Sequence, residues 1–184
     1  MPTSWRIPKL LLAALLACAI VPAAAVAGAG GGSGGVGTTP ADTGSGIDPG
    51  DADAVFPVRA KHSYGDSIGA GRGHQGQDLF AKCGKPVVAA ESGRVRYVKY
   101  QSAAGNYVVV KARGHDEVYM HLIAPSKLSP GDRVDAGDLI GRVGQTGRAT
   151  GCHLHFEMWS KPGWYRGGSV VNPTPYLKRW DKTS

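Results

Sequence analysis

Residues 151–158, GCHLHFEM, place two histidines one residue apart inside a short apolar run that follows a cysteine. In an extended strand, side chains at i and i+2 leave the same face about 6.5 to 7 Å apart, so His153 and His155 point together toward whatever that face covers. Buried histidines need partners. Upstream, the same short-strand pattern recurs. Pro86 to Ala90 is a buried-strand candidate, and Arg94 to Tyr100 (RVRYVKY) begins with an alternation that Val98 interrupts. Gln101 to Gly105 reads as a hairpin loop into Asn106 to Lys111, and Glu117 to Leu122 is the next strand. No window of 11 to 18 residues carries a helical period, no internal repeat is present, and Gly/Asp turns separate the strands. The pattern predicts an all-β sandwich or rolled sheet.

At 184 residues the chain allows one domain of ordinary size plus flanking segments. The stretch 1–27 reads as a secretory signal peptide. Arg6 and Lys9 form its basic part, Leu10 to Val21 its apolar part, and Ala25-Val26-Ala27 a small-residue cleavage site. Leu15-Leu16-Ala17-Cys18 also resembles a lipobox, which makes Cys18 a lipidation candidate; an uncleaved anchor is the third reading, although the apolar stretch is marginal for a span of about 20 residues. All three place the remainder outside the cytoplasm, secreted or in the cell envelope, with a lipid-anchored form as one variant. Residues 28–54 are Gly, Ser, Thr, Pro and Asp with little to bury, and they predict a flexible tether. The domain is expected over 55–180, long enough for its own core.

Export changes how the cysteines read. With Cys18 lost or lipidated, Cys83 and Cys152 remain as a pair where disulfides persist. A bridge between them would close a loop of about 70 residues, for which chain entropy gives roughly 4 kcal/mol. Two buried free thiols are the alternative. The formal charge is +7, and loss of Arg6 and Lys9 with a signal brings it to +5. Such a balance suits anionic cell-wall polymers or a merely solvated surface. No basic run interleaved with aromatics points to nucleic acid.

The six histidines carry most of the chemical information. His74 sits in GHQGQDL (73–79), a glycine-flanked loop with Asp78 four residues on; His121 ends VYMHL; His153 and His155 share a strand face. Imidazole and carboxylate are the usual zinc donors outside cysteine sites, and a catalytic zinc keeps three protein ligands and a water. Each element alone has a plainer reading. A His-x-His strand can hold two hydrogen-bonded structural histidines, and a His-x3-Asp loop a surface hydrogen bond. His62 and His115, in polar turn-like surroundings, are expected to be exposed and uninvolved.

Three ordered motifs, GHQGQDL, VYMHL and GCHLHFE, stand with PGDRVDAGDLIGRVGQTGRATG between the last two. Together they resemble the lysostaphin/LytM family of zinc peptidases that cut peptidoglycan. The resemblance spans roughly residues 55–177, including Val171-Asn172-Pro173 and Tyr176-Leu177. It implies antiparallel β-sheets forming an open groove, of the duplicated hybrid motif type, with one Zn2+ per domain. It assigns His74, Asp78 and His155 to the metal and makes His121 and His153 the catalytic pair. Spacing does not say which of the two is the base and which stabilises the oxyanion. Glu157 either orients a histidine or makes a strand-end salt bridge.

A Cys83–Cys152 bridge would tie the ligand-bearing segments together. Tyr64, Tyr119 and Trp164 either line the implied groove or simply pack. The partner implied is a peptidoglycan peptide, bound by a monomer. Two rivals remain. One is a non-catalytic cell-wall-binding or hydrolase-activating module on the same fold. The other is a biotinyl or lipoyl carrier, suggested by VDAGDLIGRVG but lacking a lysine in the required hairpin.

Overall fold

In the computed structural model the described residues are 53–71 and 73–183. The expected export signal, Cys18 and nearly all of the tether lie outside them. Ala54, placed in the tether by composition, is buried in the core, and Val55 donates its N–H to Ala90 O at 2.9 Å.

The strands are β1 (His62–Tyr64), β2 (Gln77–Ala81), β3 (Pro86–Val88), β4 (Gly93–Gln101) and β5 (Gly105–Lys111). They are followed by β6 (His115–Leu122), β7 (Arg133–Val134), β8 (Leu139–Arg142), β9 (His153–Ser160) and β10 (Val170–Val171). One sheet runs β1-β2-β9-β6-β5-β4-β7, with β10 also paired to β9, and β3 pairs β8 in a second, two-stranded sheet. Every pairing is antiparallel, so the all-β expectation holds. One helix was not anticipated: α1 (Thr174–Trp180) begins beside Pro173 and buries Leu177 and Trp180. Its seven residues are too few for a helical period to register in a longer window.

Strand β9 lies between β2 and β6 and divides the molecule by simple alternation. Leu154, opposite Leu79, and Phe156, opposite Tyr119, face the main core with Met158 and Trp180. His155, opposite both Asp78 and Met120, and Glu157, opposite Val118, face the other side. There a smaller apolar cluster of Tyr107, Val109, Val118, Met120 and Trp164 forms the floor beside the polar residues. Filling both sides is what fixes the register, because a slip of one residue would exchange the two faces.

In β4 the pairing shifts between Val95 and Tyr97, so the irregularity sits at Arg96 and not at Val98 as the alternation suggested. The extra residue lets Val95 and Val98 both reach the core side, opposite Val110 and Val108.

Cys83, just after β2, and Cys152, just before β9, are joined in a disulfide with Cα atoms 5.2 Å apart and 69 positions of separation. Neighbouring strand ends are thereby stapled together. Two histidines differ from expectation. His62 is half-buried, its ring stacked on Phe56 at 4.2 Å with Nε2 3.2 Å from Asp181 Oδ2. His115 opens β6 and is only 2% exposed. Asp181, 119 positions from His62, and Glu91, beside His115, reach these rings through tertiary contact, which a local reading of polar neighbours does not reveal.

Candidate metal centre

Asp78 and His155 meet because β2 and β9 pair them directly: His155 Nδ1 lies 2.8 Å from Asp78 Oδ1. His74 reaches the same oxygen from the preceding loop, with Nε2 at 3.1 Å. Gly76 makes that approach feasible, since a Cβ there would stand 2.4 Å from Phe156 O and 2.9 Å from His155 Nε2. His74 Nδ1 donates to Ser67 O at 3.0 Å, which leaves Nε2 as the ring's free lone pair. His155 turns its other nitrogen, Nε2, to Glu157 Oε1 at 3.0 Å, and Trp159 Nε1 donates to the second oxygen of Glu157 at 2.7 Å. Glu157 therefore orients a histidine.

His121 reaches the cavity through a distortion. Between Val108↔Tyr119 and Asn106↔Leu122 the β6 strand holds one residue more than β5, and His121 takes φ +63°, in the left-handed region. The bulge turns its ring to the side of Met120, where it meets His153 at 4.7 Å between centroids and His155 at 6.0 Å. His121 Nδ1 donates to Thr146 O at 2.8 Å and His153 Nδ1 to Gly151 O at 2.9 Å. Both rings are thus anchored by one nitrogen to a backbone carbonyl. His153 Nε2 stands 3.6 Å from Asp78 Oδ1.

Charge is distributed accordingly. Burial opposes an imidazolium at His155, but the hydrogen bonds to Asp78 and Glu157 outweigh it and raise its pKa to about 9. Burial would raise Asp78, yet the hydrogen bond to His155 and the nearby histidines bring it below the usual carboxylate value. Burial, with His153 close by, lowers His121 to about 4. The centre favours a positive charge between Asp78 and Glu157, and a proton on His155 meets that demand when no ion is bound.

The donor set fits a metal ion. The ligand atoms of His74, Asp78 and His155 lie within 4.8 Å of one another. Their contacts of 2.8 and 3.1 Å are close to the roughly 3.3 Å edge of a tetrahedron with bonds of about 2.0 to 2.1 Å. All five predicted residues border one open cavity of about 370 Å3. Of the three aromatics for which lining and packing were both open, Trp164 lines it, and Tyr64 and Tyr119 do not. Tyr119 is fully buried on the core side, and Tyr64 packs against the core with its hydroxyl 3.4 Å from Asp181. Arg148 and the 77%-exposed Tyr165 border the cavity and were not anticipated, because nothing in their immediate sequence marks them.

Residues 72–173, more than half of the chain, match peptidase family M23. The chain belongs to peptidase family M23. This M23 chain is 39% identical over 103 residues to the peptidoglycan DD-endopeptidase ShyC of Vibrio cholerae, covering 55% of itself and 23% of that protein. It is similar to the catalytic domain of the antimicrobial peptidase lysostaphin from Staphylococcus simulans, at 31% identity and a TM-score of 0.58, covering 64% of this chain and 92% of that one. A zinc-containing peptidase from Vibrio cholerae is also similar, at 28% identity and a TM-score of 0.56, covering 64% of this chain and 39% of that one. The M23 chain spans about a quarter of the length of the curated relatives it matches. The lysostaphin/LytM resemblance read from the three motifs holds, and with it a peptidase fold related to enzymes of the cell wall.

Proposed function

We propose that the chain is an exported zinc endopeptidase that hydrolyses peptide bonds in peptidoglycan cross-links or stem peptides. The observation that carries this reading is a single carboxylate oxygen, Asp78 Oδ1, within 3.1 Å of one nitrogen on each of His74 and His155, beside two further anchored imidazoles in an open cavity. Two imidazoles and a carboxylate suit zinc, and a zinc-containing peptidase among the similar structures supports that choice of ion. When bound, zinc lowers the pKa of water toward 7 and polarises a carbonyl.

The chain's own groups supply the rest. His121 is held neutral by burial, and its Nδ1–H is committed to Thr146 O. Its Nε2 is therefore the acceptor for the proton that the attacking water loses, and the donor that returns it to the departing amine. His153, whose Nδ1–H is committed to Gly151 O, takes the other task in its doubly protonated form, which has an Nε2–H to donate to the oxyanion of the tetrahedral intermediate. Glu157 and the Cys83–Cys152 bridge keep His155 and the strand beneath it in place. The purely binding or activating role needs none of these five residues, and their joint presence favours the enzyme.

The test combines zinc content with mass spectrometry of fragments released from purified peptidoglycans of differing cross-link type. Wild-type protein is expected to carry zinc and release fragments, whereas His121→Ala and His153→Ala keep zinc and lose release by about 10²-fold or more. Release at the wild-type rate by both variants would overturn the mechanism.

A further inference from the structure

On the side of the sheet facing away from the cavity, β6 presents His115, Glu117 and Tyr119 by the same alternation that turns Met120 to the cavity. Glu91, from the turn between β3 and β4, meets them. His115 is 2% exposed, Glu117 is fully buried and Glu91 is 6% exposed. His115 Nε2 stands 3.9 Å from Glu91 Oε2 and 3.9 Å from Glu117 Oε1, too far for a hydrogen bond in either case. Neither His115 Nε2 nor Glu117 Oε1 has a hydrogen-bond partner. The other oxygen of Glu117 accepts from the Tyr119 hydroxyl, which itself accepts from Ala90 N–H at 2.8 Å. A buried imidazole nitrogen and a buried carboxylate oxygen thus aim at one point, and leaving both unmatched is unfavourable.

We infer that Glu91, His115 and Glu117 form a second cation site, for a divalent transition-metal ion, buried in the fold apart from the catalytic cavity. Their ligand atoms lie within 4.8 Å of one another. Two carboxylates and one imidazole are a donor set shared by manganese, iron and zinc. Gaps of 3.9 Å are wider than the roughly 3.3 Å between donors on a tetrahedral ion with bonds of about 2.0 to 2.1 Å, so the three side chains draw in when the ion binds. Without an ion a proton is the substitute. Burial disfavours the imidazolium, but the carboxylates of Glu117 and Glu91 raise the pKa of His115. Nothing in this arrangement leaves room for a peptide; the ion would clamp the start of β6 to the β3–β4 turn, a structural role in which binding energy becomes folding energy.

The site is independent of the zinc reading and can be tested with that centre disabled. The full-length double variant His74→Ala/His155→Ala is stripped with a chelator, given Mn2+ or Zn2+, freed of excess ion and assayed for metal by elemental mass spectrometry. One ion per chain is expected, with a melting temperature that rises on addition and falls again with chelator. Glu117→Gln in that background, which preserves the acceptor for Tyr119, is expected to abolish both the ion and the temperature rise, and Glu91→Gln to do the same. A double variant that retains no ion of either kind, or an unchanged ion count after Glu117→Gln or Glu91→Gln, overturns the proposal. Should both Gln variants fail to fold, the ion count of the double variant decides the matter alone.

Discussion

His155 lies directly across the β2–β9 pairing from Asp78, its Nδ1 2.8 Å from Oδ1, while its Nε2 faces Glu157. A histidine between two carboxylates binds either a proton or a metal, and the exchange between them sets the pH dependence of the fold. His155 has its folded pKa raised from 6.5 to about 9, so its stabilisation is fully present below 6.5 and is lost as pH rises toward 9. The full effect is on the order of 3 kcal/mol. His121 has its folded pKa lowered from 6.5 to about 4, and it destabilises increasingly as pH falls through that window. The metal-free protein is therefore expected to be most stable near pH 6.5. Zinc requires the unprotonated ring, so the zinc-loaded protein should not show the decline above that pH. Urea denaturation from pH 4 to 9, with and without zinc, measures both curves, and identical profiles would refute the assignment.

Glu157 holds His155 through Oε1 and is itself held by Trp159 through Oε2. Removing such a carboxylate from behind a ligating histidine typically lowers metal affinity or activity 10- to 100-fold. Glu157→Ala is expected to fall in that range and Glu157→Gln to lose less, since its amide oxygen still accepts from the ring. Chelator competition titrations give the affinities; equal values for wild type and both variants would reduce Glu157 to a bystander.

The elements legible in the sequence are those whose signal is local. His153 and His155 share a face because a strand has period two, and Leu154 and Phe156 fill the other face for the same reason. The family resemblance carried by the three motifs implied that His74, Asp78 and His121 belong to one site, and all three border the same cavity. For Tyr119 the sequence left lining and packing both open, and the left-handed residue at 121 decides it: the bulge sends His121 to the cavity side while Tyr119, two positions earlier, stays on the core side. His115 stood in polar, turn-like sequence, yet it is buried beside Glu91, which reaches it through tertiary contact alone. Helix α1 escaped notice by brevity.

His121 combines the ring proposed to move the proton with a backbone conformation that suits glycine, at φ +63°. A non-glycine residue there costs about 1 kcal/mol or more. His121→Gly removes the ring and the strain together, whereas His121→Ala removes the ring and keeps the strain. The glycine variant should therefore be the more stable of the two by about 1 kcal/mol, while both lose activity about 10²-fold or more. Thermal melts alongside fragment-release assays test this. A glycine variant less stable than the alanine variant would show that the bulge is not strained.

Gly76 lets the His74 loop pass over β9 with no room for a side chain; a Cβ would come within 2.4 Å of Phe156 O and 2.9 Å of His155 Nε2. The β9 carbonyl belongs to a paired central strand and cannot yield, so in Gly76→Ala the loop must lift instead. His74 moves with it, while the core beneath, centred on Phe156 and Leu154, is untouched. The variant is expected to keep its fold, with a stability loss of about 1 to 3 kcal/mol of the kind overpacking produces. Zinc affinity should drop by at least 10-fold, because a ligand displaced by even a fraction of an ångström no longer closes the tetrahedron. Zinc titration beside chemical denaturation separates the two effects. Undiminished zinc affinity in a folded Gly76→Ala protein would mean that the loop, and not Gly76, sets where His74 stands.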